Sequence, residues 1–130
     1  MSEQNPPTEY LVLSRGKWDA DASPEQIQAA IDDFYAWLER MVEAGRMKRG
    51  QRLATGGATV SRSGVVTDGP FGEAKEVVGG YWSILAHSLE EAAHIAAQNP
   101  CMQRGLFYEI RPIDPVQASA YAVTNETAAA

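Results

Sequence analysis

The amino-acid sequence predicts an α+β domain, and three observations carry that expectation. Two segments, after Ser23 and after Ser88, combine a helix-capping start with apolar residues at helical spacing. Short runs of aliphatic, β-branched and aromatic residues surround them, at 10–14, around Leu53 and Val60, and at 65–67, 78–86 and 106–113. The order along the chain is strand, helix, strand pieces, strand, helix, strand. That order is βαββαβ, the ferredoxin-like arrangement, in which two helices cover one face of an antiparallel sheet. A chain of 130 residues suits one domain and can bury a core without covalent staples.

Each element has its own local reason. Residues 10–14 are a short aliphatic run bounded by the turn-rich stretch 16–21. Ser23 can cap free backbone N–H groups, Pro24 suits the first helical position, and Gln26 stands three residues after the cap. Ile27, Ala30, Ile31, Phe34, Trp37, Leu38, Met41 and Val42 then form one apolar face, with Asp32, Asp33, Glu39, Arg40 and Glu43 opposite. Gly45 is the expected stop. Gly56-Gly57 and Ser63-Gly64 read as turns between the strand pieces. Gly79-Gly80 opens the strand at 78–86 and reads as a bulge or a close backbone approach. Ser88-Leu-Glu-Glu91 is a capping-box pattern before a second helix, whose stripe is Leu89, Ala92, Ala93 and Ala96 and which Asn99-Pro100 ends. The domain is expected to span 8–114, with a loose leader at 1–7 and a flexible tail at 115–130.

Strand alternation puts Trp82, Ile84 and Ala86 on one face and Tyr81, Ser83 and Leu85 on the other. In the last strand Tyr108 and Ile110 oppose Phe107, Glu109 and Arg111. Both faces therefore carry apolar groups, while two helices cover only one. A second copy of the chain is the simplest cover, so a homodimer is expected.

Composition excludes several classes. Eleven basic against 17 acidic residues leave a net charge of −6. Such a chain has no basic face for nucleic acid and no attraction to an anionic membrane. The start is polar, with Pro6 and Pro7, and no apolar run approaches a membrane span, so a cytoplasmic protein is the expectation. Cys101 is the sole cysteine and has no partner for an internal disulfide. No His/Cys/Asp cluster has ligand spacing, so no metal is expected, and no phosphate cradle or other cofactor motif is present.

One stretch is long and specific: Val66-Thr-Asp-Gly-Pro-Phe-Gly-Glu-Ala-Lys-Glu-Val-Val-Gly-Gly-Tyr81. Together with Asn99-Pro-Cys101 and Glu109-Ile-Arg-Pro112 it resembles the signature of the YCII-related, DGPF-type family, over residues 9 to 113. The resemblance implies a dimeric α/β barrel, two ferredoxin-like units packed sheet to sheet with a pocket in each. Most members have no assigned reaction. Relatives in the wider superfamily include a dehydrochlorinase of a chlorinated hydroxyhydroquinone, for which a His–Asp pair has been proposed as the catalytic couple. Members also occur beside or fused to sigma factors, which implies an association with transcription factors.

Asp68 matches the acid of the motif and is the candidate general base; Asp-Gly-Pro is equally good turn chemistry. Lys75, with Glu73 and Glu76, is placed either at a pocket mouth, where it would hold an anion, or in a solvated loop. Glu109 and Arg111 share a strand face, either lining a dimer-enclosed cavity with Tyr81 or forming an ion pair without a ligand. Arg15, Trp18 and Arg52 are further lining candidates. Neither His87 nor His94 occupies a motif position that would complete a His–Asp couple; both read as capping or solvent-facing rings. Cys101 reads as a buried thiol. Two functions remain open on these residues. One is a binding or regulatory module with a small-molecule pocket near Asp68. The other is a cofactor-free lyase or isomerase acting on a small polar or aromatic compound.

Overall fold

The computed structural model describes residues 6–66 and 77–128 of the chain. The elements run β1 (Thr8–Arg15), α1 (Pro24–Glu43), β2 (Met47–Arg52), β3 (Thr59–Ser61), β4 (Gly64–Val66), β5 (Val78–Ala86), α2 (Leu89–Ala96), a 3-10 turn (Pro100–Arg104) and β6 (Phe107–Pro112). Four strands form one sheet in the order β2-β5-β1-β6, each neighbouring pair antiparallel. With two helices this is an α+β fold of ferredoxin-like topology, as the element order predicts. β3 and β4 are an added hairpin of their own.

The first helix follows its sequence signals. Ser23 Oγ accepts the Gln26 N–H at 3.1 Å and the Gln26 side chain accepts the Ser23 N–H at 2.9 Å, a complete capping box. At the other end the N–H groups of Gly45 and Arg46 return to the carbonyls of Val42 and Met41. Every residue of the expected apolar face is buried or half-buried. The second helix departs in register. Ala92, Ile95 and Ala96 are its buried residues, while Leu89 is 47% exposed and Ala93 is exposed. The buried stripe therefore starts one turn later, at Ala92, and takes in Ile95. Ser88 caps Glu91 N–H at 3.1 Å, but the Glu91 carboxylate accepts the N–H of His87 rather than that of the cap residue.

Two elements differ from the sequence expectation for identifiable reasons. The strand expected around Leu53 lies earlier, at β2, where Met47 is the one buried residue of a polar edge strand. Such a strand carries no alternation to read. α2 ends at Ala96, before the expected Asn99-Pro100, and that pair instead begins the 3-10 turn: Asn99 Oδ1 accepts the Cys101 N–H at 2.9 Å, with Pro100 at the first position.

The core lies between the helices and one sheet face. Tyr10 and Val12 of β1 and Trp82, Ile84 and Ala86 of β5 meet Trp37 and Leu38 of α1 and Ala92, Ile95 and Ala96 of α2. The opposite face carries Leu11 and Leu13 beside Ser83 and Tyr81. Two ion clusters flank them: Glu9 with Lys48 (3.2 Å) and Ser83 (2.6 Å), and Glu109 with Arg15 (2.5 Å) and Arg111 (3.0 Å). Residues 114–128 are exposed and form neither helix nor strand.

Ile84 is wholly inaccessible, whereas Leu89 is half out in solvent. Ile84→Ala is expected to cost about 2–5 kcal/mol in urea unfolding. Leu89→Ala is expected to cost no more than about 0.5 kcal/mol. A larger loss at Leu89 would put the contact face of α2 back at the stripe read from the sequence.

Candidate functional site

A cavity of about 420 Å³ opens between α1 and the sheet. That volume falls in the range of about 300–1,000 Å³ typical of small-molecule sites. One wall is α1, through Ile31, Phe34, Tyr35, Leu38 and Glu39. The floor comes from Ser14 of β1, Trp82 of β5 and Tyr108 of β6, with Cys101 and Leu106 beside them. The rim is Trp18 and residues 49–52 of β2.

Two glycines shape the side where β2 meets β5. A β-carbon on Gly50 would stand 1.9 Å from the Tyr81 carbonyl oxygen, and one on Gly80 would stand 2.8 Å from that of Gln51. Only glycine permits these approaches. The β2–β5 register is broken between Lys48 and Gln51, and the β1–β5 register between Ser14 and Arg15, so the Gly79-Gly80 pair does sit at an irregular, closely approached point.

The aromatic groups form a continuous surface. Phe34 lies 5.0 Å from Trp82 and 5.2 Å from Tyr35, and Trp82 lies 5.6 Å from Tyr108, all at inclined angles. The Trp82 indole nitrogen is buried with no acceptor among the described residues, so the ring acts here through packing. Polar groups interrupt this surface at three places. Tyr108 interacts with Cys101 and Ser14, and burial, then Cys101, pushes its phenol well above the ordinary value. It stays a neutral hydrogen-bond donor across the physiological range. The Cys101 thiol reaches the Ala30 carbonyl at 3.6 Å, and burial raises it too, so it is no thiolate. At the rim the Arg49 guanidinium pairs with the Glu39 carboxylate.

The sequence candidates divide between the two sheet faces. Trp18 and Arg52 border the cavity; Tyr81 lines it where β2 meets β5, although strand alternation puts its side chain on the other sheet face, beside Leu13. Glu109 and Arg111 pair on the far side of the sheet and do not reach it; Arg15 joins them there. Arg111, first, and Arg15 hold the Glu109 carboxyl below its usual range. Asp68 and Lys75, with Glu73 and Glu76, lie outside the described residues. His87 is exposed, with its ring 3.3 Å from the Glu91 carboxylate at the start of α2, and His94 is exposed on α2. Sequence reading missed Ser14, Tyr35, Glu39, Arg49 and Tyr108. Tyr35 alone carried a signal, as a large aromatic one place off the apolar stripe.

Among the described residues no group of three or more His, Cys, Asp or Glu side chains could hold a metal ion. No described helix is long and apolar enough to cross a membrane.

The topology and the cavity define a ferredoxin-like α+β protein with space for a small molecule beneath its first helix. The chain matches the YCII-related domain over residues 8–117. It is also similar to an uncharacterized protein of Rhizobium meliloti (strain 1021), at 35% identity over 100 residues, 70% of this chain and 78% of that protein. The chain belongs to the YCII-related family.

The raised Tyr108 phenol has a signed consequence. The unfolded chain loses this proton near pH 10, the ordinary value, while the folded protein keeps it. The contribution is therefore whole below pH 10 and shrinks as the pH rises past it. Urea unfolding from pH 9 to 11 is expected to show a steeper alkaline loss of stability in the natural protein than in Tyr108→Phe. Parallel profiles would mean that this phenol titrates normally.

Proposed function

We propose that the protein is a small-molecule-binding member of the YCII-related family, with a binding or regulatory role, and that the cavity beneath α1 is its ligand site. The observation that carries this reading is the cavity itself: a concave aromatic surface with a few convergent polar groups, which is the general character of ligand sites. A thermal-shift screen of small hydroxylated and carboxylated aromatics tests it. Ligands are expected to stabilise the natural protein and to have no effect on Ser14→Leu, whose added carbons would occupy the floor. A hit that stabilises both proteins equally would move the site elsewhere.

A second reading, a cofactor-free lyase or isomerase with Asp68 as general base and Lys75 as an anion contact, is favoured by one observation. Gly79 and Gly80 close the motif that contains Asp68, and both line the cavity. Asp68→Asn separates the readings once a ligand is known. A base would cost about 10²–10⁴ in turnover with folding intact. A binding module would have no turnover to lose.

We further propose that two copies pair through their uncovered sheet faces. Leu11 and Leu13 between two ion clusters support this, as an apolar centre with a polar rim. In this arrangement Glu109 and Arg111 set the pairing and do not touch the ligand. Sedimentation equilibrium at micromolar protein is expected to give twice the 14.1 kDa chain mass. A mass of one chain would refute the pairing.

A further inference from the structure

The chemical class of the ligand follows from charge and shape at the cavity rim, given that the cavity is the ligand site. The protein carries a net charge of −6, yet among the described residues the charged side chains around this cavity are Glu39, Arg49 and Arg52, which sum to +1. Arg49 is engaged by Glu39. Arg52 makes no ion pair or side-chain hydrogen bond among the described residues. In the ladder it stands opposite Gly80, on the face that holds Trp82 and Ile84. The Gly80 position has no room for a side chain, because a β-carbon there would lie 3.2 Å from the Arg52 Cα. Arg52 therefore stands across from a position without a side chain, at the rim of an aromatic-walled cavity.

A guanidinium with no ion-pair partner among the described residues, at the entrance to a cavity walled by Phe34, Tyr35, Trp82 and Tyr108, fits one kind of molecule. We infer that the cavity selects a planar aromatic anion of one or two rings, with its carboxylate on Arg52 and its ring against the aromatic wall. The fork geometry of arginine pairs with both oxygens of a carboxylate, which a neutral amide cannot match. Aromatic walls favour a flat π-system over an aliphatic ring of similar bulk through offset and edge contacts.

Isothermal titration with three probes tests the assignment: naphthalene-2-carboxylate, naphthalene-2-carboxamide and cyclohexanecarboxylate. The aromatic acid is expected to bind at least about tenfold tighter than either of the others. Arg52→Gln is expected to bring the aromatic acid down to the level of the amide and to leave amide binding unchanged. Arg52→Lys should recover part of the difference. Both variants sit on an exposed edge position, and circular dichroism checks that they fold. Equal binding of acid and amide, or a preference that survives Arg52→Gln, would overturn the aromatic-anion assignment and leave the cavity standing as a ligand site. Tight binding of the aliphatic acid would overturn the aromatic half alone. No binding of either naphthalene probe would overturn this assignment and weigh against the cavity reading itself, which the broader screen with Ser14→Leu addresses separately.

Discussion

The pairing of β1 with β5 is the constraint on which the rest of the molecule depends. These are the two central strands, and their register sets Val12 opposite Trp82 and Tyr10 opposite Ile84. Val12 and Ile84 are both wholly inaccessible. Side chains alternate between faces, so a slip of β1 by one residue would send Tyr10 and Val12 to the uncovered side and bring Glu9 and Leu11 under the helices. Burying the Glu9 carboxylate there without Lys48 would be strongly unfavourable. Both helices seat on this pair: α1 through Trp37 and Leu38, α2 through Ala92, Ile95 and Ala96.

The two ends of that shared face are packed with side chains of different size, which explains why space remains at one of them. At α2 the buried residues are Ala92, Ile95 and Ala96, two of them small, and the core there also takes in Ala86 of β5. Around α1 the sheet offers Trp82 and Tyr108, and the helix answers with Phe34 and Tyr35. Rings of this size meet edge to face and cannot interdigitate as aliphatic chains do. The glycines of β2 and β5 then remove side chains from the adjoining stretch of sheet. Large groups hold the layers apart while absent groups leave the gap unfilled.

Most of the fold was legible because its signals are local. Ser23, Pro24 and Gln26 mark the start of α1, and the eight-residue apolar face that follows is the face that is buried. β5 lies at the residues its alternation indicates. What escaped was decided by tertiary context. β2 is an edge strand stabilised by its neighbour, with Met47 as its only buried group. The shift of the α2 stripe from Leu89 to Ile95 depends on how the helix end meets the sheet. The site was harder still. Ser14, Tyr35, Arg49 and Tyr108 come from four elements, and only the strand order brings them to one cavity. Glu109 and Arg111 were correctly placed on one face of one strand, but periodicity cannot say on which side of a sheet a cavity will open.

The β3–β4 hairpin has no partner in the four-stranded sheet, and its Val60 and Val65 are mostly exposed. It belongs to the long connection between β2 and β5, residues 53–77, which also contains the Asp-Gly-Pro-Phe motif. The entropy of closing such a connection changes slowly with its length, by about 0.6 kcal/mol per doubling. Residues could be added to or removed from the β3–β4 hairpin without disturbing the register of β1 with β5. The fold thus separates the sheet and helices, which must keep their register, from a hairpin that pairs only with itself. Variation in the composition and length of this hairpin leaves the scaffold to be inherited unchanged.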